Sequence, residues 1–219
     1  MSSDLAAKFA EHEITPNIIP NPPAQLLNCN WDGIQVQPGQ MMSPRNLRFA
    51  PRVTLTVDPE STFTLVMIDP DNLSRKNPSV AEWLHWLVTN IPASNINEGI
   101  NGGQHQCAYG SPAPQPRTDI HRYIILLFEH QGRRVQVPKV SSRAKFSVKQ
   151  FMEKNKLGKL IYHFNYFYFH SLMSFSGPTS NDQKIDRKAF ISSKMLTHKL
   201  FCFCSKTNRL SSKIVLKKN

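Results

Sequence analysis

Three short apolar runs, each bounded by turn-forming residues, limit what this chain can fold into more than any other feature. They span residues 62–68 (TFTLVMI), 85–91 (HWLVTNI) and 123–128 (YIILLF). Asp69-Pro70 ends the first run and Pro92 ends the second. Apolar runs of this length between such residues are typical of β-strands. The sequence therefore predicts a protein built mainly from short strands.

Two further segments support a sheet protein. Residues 53–57 (VTLTV) alternate apolar and polar side chains, as in a strand with one solvated face. Gly132 separates the third apolar run from residues 133–137 (RRVQV), so these two segments are predicted to form a hairpin. Repeated short strands with Pro- and Gly-rich connections predict an all-β fold with few helices, an antiparallel two-sheet β-sandwich.

A helical pattern is clear in one segment, residues 147–157. Ser147 and Gln150 have the spacing of a capping box, and Phe151 belongs to an apolar stripe. Gly158 is suited to follow the last helical turn. The sequence therefore predicts one short helix late in the domain.

The chain is long enough for one domain and a tail. We predict an N-terminal segment at residues 1–20, a single domain at 21–158 and a tail at 159–219. Within the domain, residues 72–78 and 97–118 are predicted to be loops. The second is long for a connection inside a compact domain, and such loops often bind ligands.

The positive charge of the chain is concentrated in the tail. Of the 27 Lys and Arg and the 15 Asp and Glu, 11 and 2 lie from Gly158 onward, which leaves 16 and 13 before it. The net charge of +12 thus divides into +9 and +3. Aromatic residues crowd between Tyr162 and Phe175 without a regular period. We predict a poorly ordered tail and no nucleic-acid partner for the domain.

Several protein classes do not fit this composition. Residues 1–15 carry four charged side chains and no apolar core, so no secretory signal is predicted. Residues 160–175 are interrupted by polar side chains and fall short of the ~20 apolar residues of a spanning helix. The cysteines lack paired zinc-ligand spacing, so we expect reduced thiols, no metal, no cofactor and a cytoplasmic location. They are Cys29, Cys107, Cys202 and Cys204.

Asp69, His85 and His121 lie at the ends of the three predicted strands and are the central candidates for a site. If these ends converge, the carboxylate of Asp69 orients one imidazole and favours its charged form. The remaining ring nitrogens would then face a ligand. A carboxylate and two imidazoles in this arrangement suit one phosphate with a small head group.

Strand alternation predicts which neighbours join the site. Successive side chains point to opposite faces, so Trp83, His85 and Leu87 are expected to share one face of their strand. His121 and Tyr123 are expected to share a face of another strand. We predict that Trp83 walls the pocket and that the hydroxyl of Tyr123 faces the ligand.

Other interpretations of the same residues stay open at this point. A histidine near a strand end is commonly a surface or satisfied core residue. Two histidines and a carboxylate form some metal sites, but the usual local spacing is missing here. A hydrolase would need a nucleophile, and Ser111 lacks the G-x-S-x-G elbow. The basic, aromatic tail has the composition of a segment that binds RNA or an acidic membrane.

At these residues the chain resembles the phosphatidylethanolamine-binding protein family, which includes the Raf kinase inhibitor protein and plant flowering-locus-T proteins. The resemblance covers about residues 12–158. It rests mainly on residues 69–75 (DPDNLSR), 82–92 (EWLHWLVTNIP) and 120–123 (IHRY). Residues 9–16 (FAEHEITP) are most similar to animal members, including those of nematodes.

The resemblance implies a two-sheet antiparallel sandwich with an anion pocket and no enzymatic activity. The implied ligand-binding residues are Asp69, His85, His121, Tyr123, Trp83, Ala113 and Pro114. The implied ligand is phosphatidylethanolamine or another phosphate-bearing molecule, and the implied role is to modulate signalling by binding kinases. Serine protease inhibition is the alternative within the family, and tail-driven membrane or RNA binding is the alternative outside it. Peripheral membrane contact is also implied.

The chain departs from the family pattern around the pocket and at its end. Leu73 replaces a proline, Val80 replaces a frequent aromatic residue, and residues 113–115 (APQ) replace Gly-Pro-Pro. From Lys159 onward the sequence does not follow the family. Residues 160–169 are suited to substitute for the missing family strand, because their aromatic side chains favour β structure, although their pattern is not regular.

Overall fold

The computed structural model describes residues 2–22, 25–57, 59–97, 100, 102–130, 133–157 and 163–170. The helices and strands in chain order are α1 (Ser2–Glu11), β1 (Gln25–Leu26), β2 (Asn28–Trp31), β3 (Ile34–Gln35), β4 (Gln40–Met41), a 3-10 helix (Pro44–Leu47), β5 (Arg52–Thr54), β6 (Thr62–Asp69), β7 (Trp83–Pro92), α2 (Ala93–Asn97), β8 (Gln104–Cys107), β9 (Ile120–Glu129), α3 (Val148–Asn155) and β10 (His163–His170).

The larger sheet is built around the three apolar runs. Its strand order is β1-β10-β9-β6-β7-β8, and β4 also pairs with β10. Strands β6, β7, β8, β9 and β10 pair antiparallel with their neighbours, whereas the two-residue strands β1 and β4 pair parallel with β10. The predicted strands at 62–68, 85–91 and 123–128 are therefore confirmed, and they form the centre of this sheet.

A smaller sheet covers one face of the larger one. It has the order β3-β2-β5 and antiparallel pairing. One apolar cluster joins residues of both sheets, including Trp31, Val53 and Phe63. The predicted antiparallel two-sheet sandwich with few helices is confirmed.

Helices α1 and α3 cover the opposite face of the larger sheet, whereas Ala93 and Ile96 of α2 pack in the cluster between the sheets. A second apolar cluster contains Phe9 at the end of α1 and Phe151 of α3, together with Val66 and Leu126 of the central strands. The central strands are buried on both faces, which explains why their sequences are continuously apolar instead of alternating. The helix α1 was not predicted, because its sequence has little apolar periodicity beyond Leu5 and Phe9.

The predicted hairpin after Gly132 is wrong. Residues 133–137 form no strand, although Val135 is buried. The side chain of Asn90 instead accepts from Val135 N and donates to Val135 O, each over 2.8 Å. Asn90 occupies a bulge of β7 with φ 54°, and its amide takes the place of a partner strand.

Two predicted boundaries differ from the structure. The predicted loop at 97–118 contains strand β8, which pairs with β7. Helix α3 begins as predicted, with Ser147 accepting from Gln150 N over 3.2 Å. Its last residue is Asn155. Lys156 follows in the left-handed conformation (φ 51°) and caps the helix, a role that was expected of Gly158.

The larger sheet extends beyond residue 158, where the sequence placed the end of the domain. Strand β10 lies in the predicted tail and pairs with β9 from His163↔Leu127 to His170↔Ile120. Residues 171–219, for which poor order was predicted, lie outside the described residues. Among the described helices, none has the length and apolarity to cross a membrane.

Candidate functional site

Asp69 and His121 form a buried pair at the ends of β6 and β9. His121 Nδ1 donates to Asp69 Oδ2 over 2.7 Å. Asp69 Oδ1 accepts from the backbone N–H of Asp71 over 2.8 Å, which closes the turn after β6. Asp69 is 0% and His121 is 1% exposed. The carboxylate therefore fixes the orientation of the imidazole, as the sequence predicted.

His85 occupies a β-bulge near the start of β7. Met67 of β6 pairs with Trp86, and Ile68 pairs with Leu84, so His85 is the extra residue between two paired positions. Bulges redirect side chains and are frequent beside functional sites.

The bulge places His85 on the same side of the sheet as Trp86. The two rings of His85 and Tyr123 meet edge to face with centroids 5.2 Å apart. Tyr123 and Trp86 belong to the cluster between the sheets, whereas Leu87 packs on the opposite face. The predicted common face of Trp83, His85 and Leu87 is therefore wrong for Leu87, because the extra residue shifts the alternation.

Gly110 and Arg143 hold the bulge in place. Gly110 N donates to His85 O over 2.8 Å, and Gly110 O accepts from His85 Nδ1 over 2.7 Å. Arg143 Nη1 donates to the carbonyl oxygens of Leu84 and His85 over 3.0 and 2.9 Å. A Cβ at Gly110 would lie 3.0 Å from Arg143 Nη1, so this close approach favours glycine.

These contacts define the protonation of His85. Because a carbonyl only accepts, Nδ1 carries the proton. Nε2 is buried and has no hydrogen-bond partner among the described residues. Burial is the main cause that lowers the pKa of His85 below 6.5. Neutral His85 therefore holds an unsatisfied lone pair inside the site, and such atoms are uncommon in folded proteins.

Thr118 contacts the outer nitrogen of His121. Its Oγ1 lies 2.9 Å from His121 Nε2 and donates to the carbonyl of Gln115 over 2.6 Å. Since the hydroxyl has one proton, Oγ1 accepts from Nε2–H. His121 thus donates from both ring nitrogens, a geometry that fits its imidazolium form. Thr118 lies between Arg117 and Asp119, whose φ angles of 67° and 64° are uncommon outside glycine.

Tyr123 lies between the two imidazoles. Its ring stacks on His121 with centroids 6.4 Å apart. It is 1% exposed, so it lies inside the protein. The residue alternates with Arg122 and points between the sheets, where its hydroxyl hydrogen-bonds the Asp69 carboxylate. Burial, and then the Asp69 charge, raise the pKa of Tyr123 well above 10.

Arg122 and Asp71 form a second buried pair behind the site. Arg122 Nη2 donates to Asp71 Oδ1 over 2.7 Å, and Arg122 Nε donates to Asp71 Oδ2 over 2.9 Å. Arg122 Nη1 also donates to the carbonyl of His12 over 2.7 Å. A bidentate pair of this kind fixes both strand ends, because it ties the turn after β6 to the start of β9.

The remaining predicted site residues are Trp83, Ala113 and Pro114. Trp83 is half-buried and pairs with Asp69 across the β6–β7 ladder. Ala113 is exposed and Pro114 is half-buried in the connection from β8 to β9. Two other residues between β8 and β9 hydrogen-bond the imidazoles. Gly110 bonds His85, and Thr118 bonds His121.

A surface depression of about 290 Å³ lies where these segments reach solvent. Its lining comes from the turn after β6 and from the segment before His121. The lining residues are Arg75, Lys76, Asp119 and Ile120. Lys76 is 3.8 Å from Asp119, and Arg75 is 2.6 Å from Glu13.

Among the described residues, no three His, Cys, Asp or Glu side chains lie close enough together to hold a metal ion. Residues missed by sequence reasoning are Gly110, Thr118 and Arg143. Thr118 had one usable signal, its position three residues before His121. Gly110 and Arg143 had none, since Gly110 acts through its own backbone atoms and Arg143 donates to backbone carbonyls of residues distant in sequence.

Comparisons with known proteins identify the family of this chain and agree with its fold. Residues 32–167 match the family described as "Phosphatidylethanolamine-binding protein". The Drosophila melanogaster protein named "Putative odorant-binding protein A5" is 34% identical over 155 residues, which cover 68% of this chain and 72% of that protein. TERMINAL FLOWER 1 of Arabidopsis thaliana is 36% identical over 137 residues, or 62% of this chain and 75% of the relative.

Solved structures agree in fold. A phosphatidylethanolamine-binding protein from Plasmodium vivax superposes with a TM-score of 0.64 at 20% identity, covering 75% of this chain and 96% of that one. A carboxypeptidase Y inhibitor, solved in complex with its cognate proteinase, gives 0.63 at 19% identity, covering 77% and 96%. The family match spans more than half of the sequence. The chain belongs to the phosphatidylethanolamine-binding protein family.

Proposed function

We propose that this protein binds the phosphate of a phospholipid head group, such as phosphoethanolamine, between His85 and His121. The observation that carries the proposal is His85 Nε2, which is buried and has no hydrogen-bond partner among the described residues. A ligand that hydrogen-bonds this atom would satisfy the site. Family membership supports the same class of ligand.

The two imidazoles would hold the anion in different ways. Neutral His85 cannot donate from Nε2, so binding of an anionic oxygen requires uptake of a proton there. His121 already donates from Nε2 to Thr118 Oγ1. A phosphate oxygen would replace that hydroxyl as the acceptor, while Asp69 keeps Nδ1 and the ring in place. Charge-assisted hydrogen bonds of this type are about twice as strong as neutral ones.

The charge at the surface supports entry of an anion. Arg75 and Lys76 line the depression beside the strand ends, with Asp119 as its acidic member. Both basic side chains are paired with exposed carboxylates, Arg75 with Glu13 and Lys76 with Asp119, and exposed pairs of this kind are weak enough to open to an incoming phosphate. The kinase partners, the serine protease alternative and the cytoplasmic location stay predictions from the sequence.

Two substitutions of His85 separate its nitrogens. His85→Asn places an amide nitrogen at the δ position, which preserves donation to Gly110 O but removes the group at ε. His85→Gln places the amide at ε and removes the δ donor. Calorimetric titration with glycerophosphoethanolamine measures the affinity of each variant.

We expect His85→Asn to weaken binding more than about tenfold, since one charge-assisted hydrogen bond is lost. His105→Asn is the matched control, because His105 is an exposed imidazole near the site that contacts Trp86. Wild-type affinity in a folded His85→Asn variant, or an equal loss in His105→Asn, would overturn the proposal.

A further inference from the structure

A basic loop with one exposed aromatic ring precedes β5 and plays no part in the head-group site. We define the Phe49 loop as residues 43–52 (SPRNLRFAPR). Phe49 is 78% exposed, the most exposed of the large apolar side chains among the described residues. Arg45, Arg48 and Arg52 are exposed around it in sequence. The guanidinium of Arg48 lies 5.9 Å from the centroid of the Phe49 ring.

The charges of this loop are uncompensated. No acidic residue occurs between Gly33 and Val57 in the sequence. Within the described part of the chain, Arg45, Arg48 and Arg52 form no salt bridge and no hydrogen bond. Three unpaired arginines within a few residues of an exposed apolar ring are complementary to an anionic, partly apolar partner.

Two hydrogen bonds tie the backbone of the loop to the core, although the side chains of Phe49 and the three arginines are exposed. Leu47 is 0% exposed, and its carbonyl accepts from Tyr109 Oη over 2.8 Å. The carbonyl of Phe49 accepts from Trp31 Nε1 over 3.1 Å. Little conformational entropy is therefore lost when the exposed ring is buried by a partner. A large ring held in water by a fixed backbone is a feature of interaction surfaces.

We propose that the Phe49 loop docks the protein on an anionic phospholipid membrane. The ring of Phe49 would enter the boundary between head groups and acyl chains, and the arginines would contact lipid phosphates. A membrane fits better than RNA, because the loop offers one aromatic ring and not a series of stacking platforms. The exposed Met41 just before the loop adds a second apolar side chain, 44% accessible.

This proposal does not rest on the head-group site. Leu47 bonds Tyr109, and the next residue, Gly110, bonds His85, so the loop and the site share one supporting segment. The Phe49 loop and the head-group site can nevertheless be occupied independently. A soluble head group would bind at His85 without the Phe49 loop, and a membrane would hold the loop without an occupied pocket.

Co-sedimentation of the full chain with phosphatidylcholine vesicles, with and without phosphatidylserine, tests the proposal. The variant Phe49→Ser leaves every charge unchanged, including the +9 of the residues from Gly158 onward. We expect it to lose about tenfold in partitioning to phosphatidylserine vesicles. Phe49→Leu should stay within about threefold of wild type, because it retains an apolar side chain.

Charge reversal provides the second arm. Arg45→Glu with Arg48→Glu should lower vesicle binding more than about twentyfold, whereas Lys139→Glu with Lys149→Glu changes the net charge equally and should lower it much less. Wild-type vesicle binding by Phe49→Ser would overturn the proposal. An equal loss of vesicle binding in the two double variants would also overturn it. The same holds if Phe49→Ser loses binding to polyuridylate but not to vesicles. Phe49→Ser should unfold at the wild-type temperature, because the ring is exposed. It should also bind soluble glycerophosphoethanolamine with wild-type affinity.

Discussion

His121 donates a hydrogen bond from Nδ1 to Asp69 Oδ2 over 2.7 Å, inside the protein. The pair joins the last residue of β6 to the second residue of β9. It also directs the outer nitrogen of His121 toward Thr118, the position at which we propose that a phosphate oxygen binds. The pair therefore has both a structural and a functional consequence, which separate experiments can measure.

Loss of the Asp69 carboxylate should destabilise the fold. Asp69→Ala leaves the buried His121 and the backbone N–H of Asp71 without their acceptor. Removal of one member of a buried ion pair costs about 3–5 kcal/mol in the free energy of unfolding. Urea denaturation measures the loss of stability. Asp119→Ala is the control, because Asp119 is an exposed carboxylate directly before β9. A stability of Asp69→Ala equal to that of the control would contradict the buried pair.

Head-group affinity should rise as the pH falls below 6.5. The pKa of His85 in the empty site is lowered, so the ring is neutral near pH 6.5 and must take up a proton to donate to an anion. Uptake of one proton makes the affinity increase up to about tenfold per pH unit. Calorimetry with glycerophosphoethanolamine is suitable, because the charge of a phosphodiester is constant in this range. A pH-independent affinity in wild type, or the same slope in His85→Asn, would exclude proton uptake at this ring.

Thr118→Ala should increase head-group affinity. The Thr118 hydroxyl accepts from His121 Nε2 and must be displaced before a phosphate oxygen reaches that nitrogen. Removing one such hydrogen bond is worth about 1 kcal/mol, or about fivefold in affinity. Thr56→Ala, an exposed threonine near β5, is the matched control. An affinity of Thr118→Ala below that of wild type would show that Thr118 supports the ligand instead of competing with it.

Glu82→Gln should change how stability depends on pH. Burial raises the pKa of Glu82 from 4.5 to about 7, and Val148 N donates to its carboxylate over 2.8 Å. Because the folded state binds this proton more tightly, the stabilising contribution is present below pH 4.5 and is lost as the pH rises through 7. The raised pKa of Glu82 corresponds to about 3 kcal/mol in the free energy of unfolding.

Glutamine retains the oxygen that accepts from Val148 N but does not titrate. We therefore expect Glu82→Gln to be more stable than wild type above pH 7 and similar to it below pH 4.5. Chemical denaturation across this range gives the difference directly. A constant difference between the two proteins at all pH values would rule out titration of Glu82 as the cause.

The central strands and the carboxylate–imidazole pair were predictable, because both depend on local patterns. Apolar runs ended by Asp69-Pro70 and Pro92 marked the strands, and the positions of Asp69 and His121 at strand ends brought them together. The register of β7 was not predictable, since a bulge at His85 leaves no sequence signal and reverses the face of Leu87.

Contacts made by backbone atoms account for most of the rest. Arg143 donates only to carbonyls in its contacts at the site, and every residue has a carbonyl, so no pattern identifies it. The side chain of Asn90 satisfies Val135 in the way a strand would, so the expected hairpin does not form. The hydroxyl of Tyr123 was predicted to face the ligand, but it hydrogen-bonds Asp69, because alternation gives the face of a side chain and not its depth.

Nuclear magnetic resonance of the imidazole nitrogens during titration with phosphoethanolamine is the most direct test of head-group binding. We predict that Nε2 of His85 changes from the unprotonated to the protonated chemical-shift range as the ligand binds. Nδ1 of His121 should stay bonded to Asp69, with a smaller change at its Nε2. Unchanged His85 and His121 signals in a folded sample at saturating phosphoethanolamine would contradict the account.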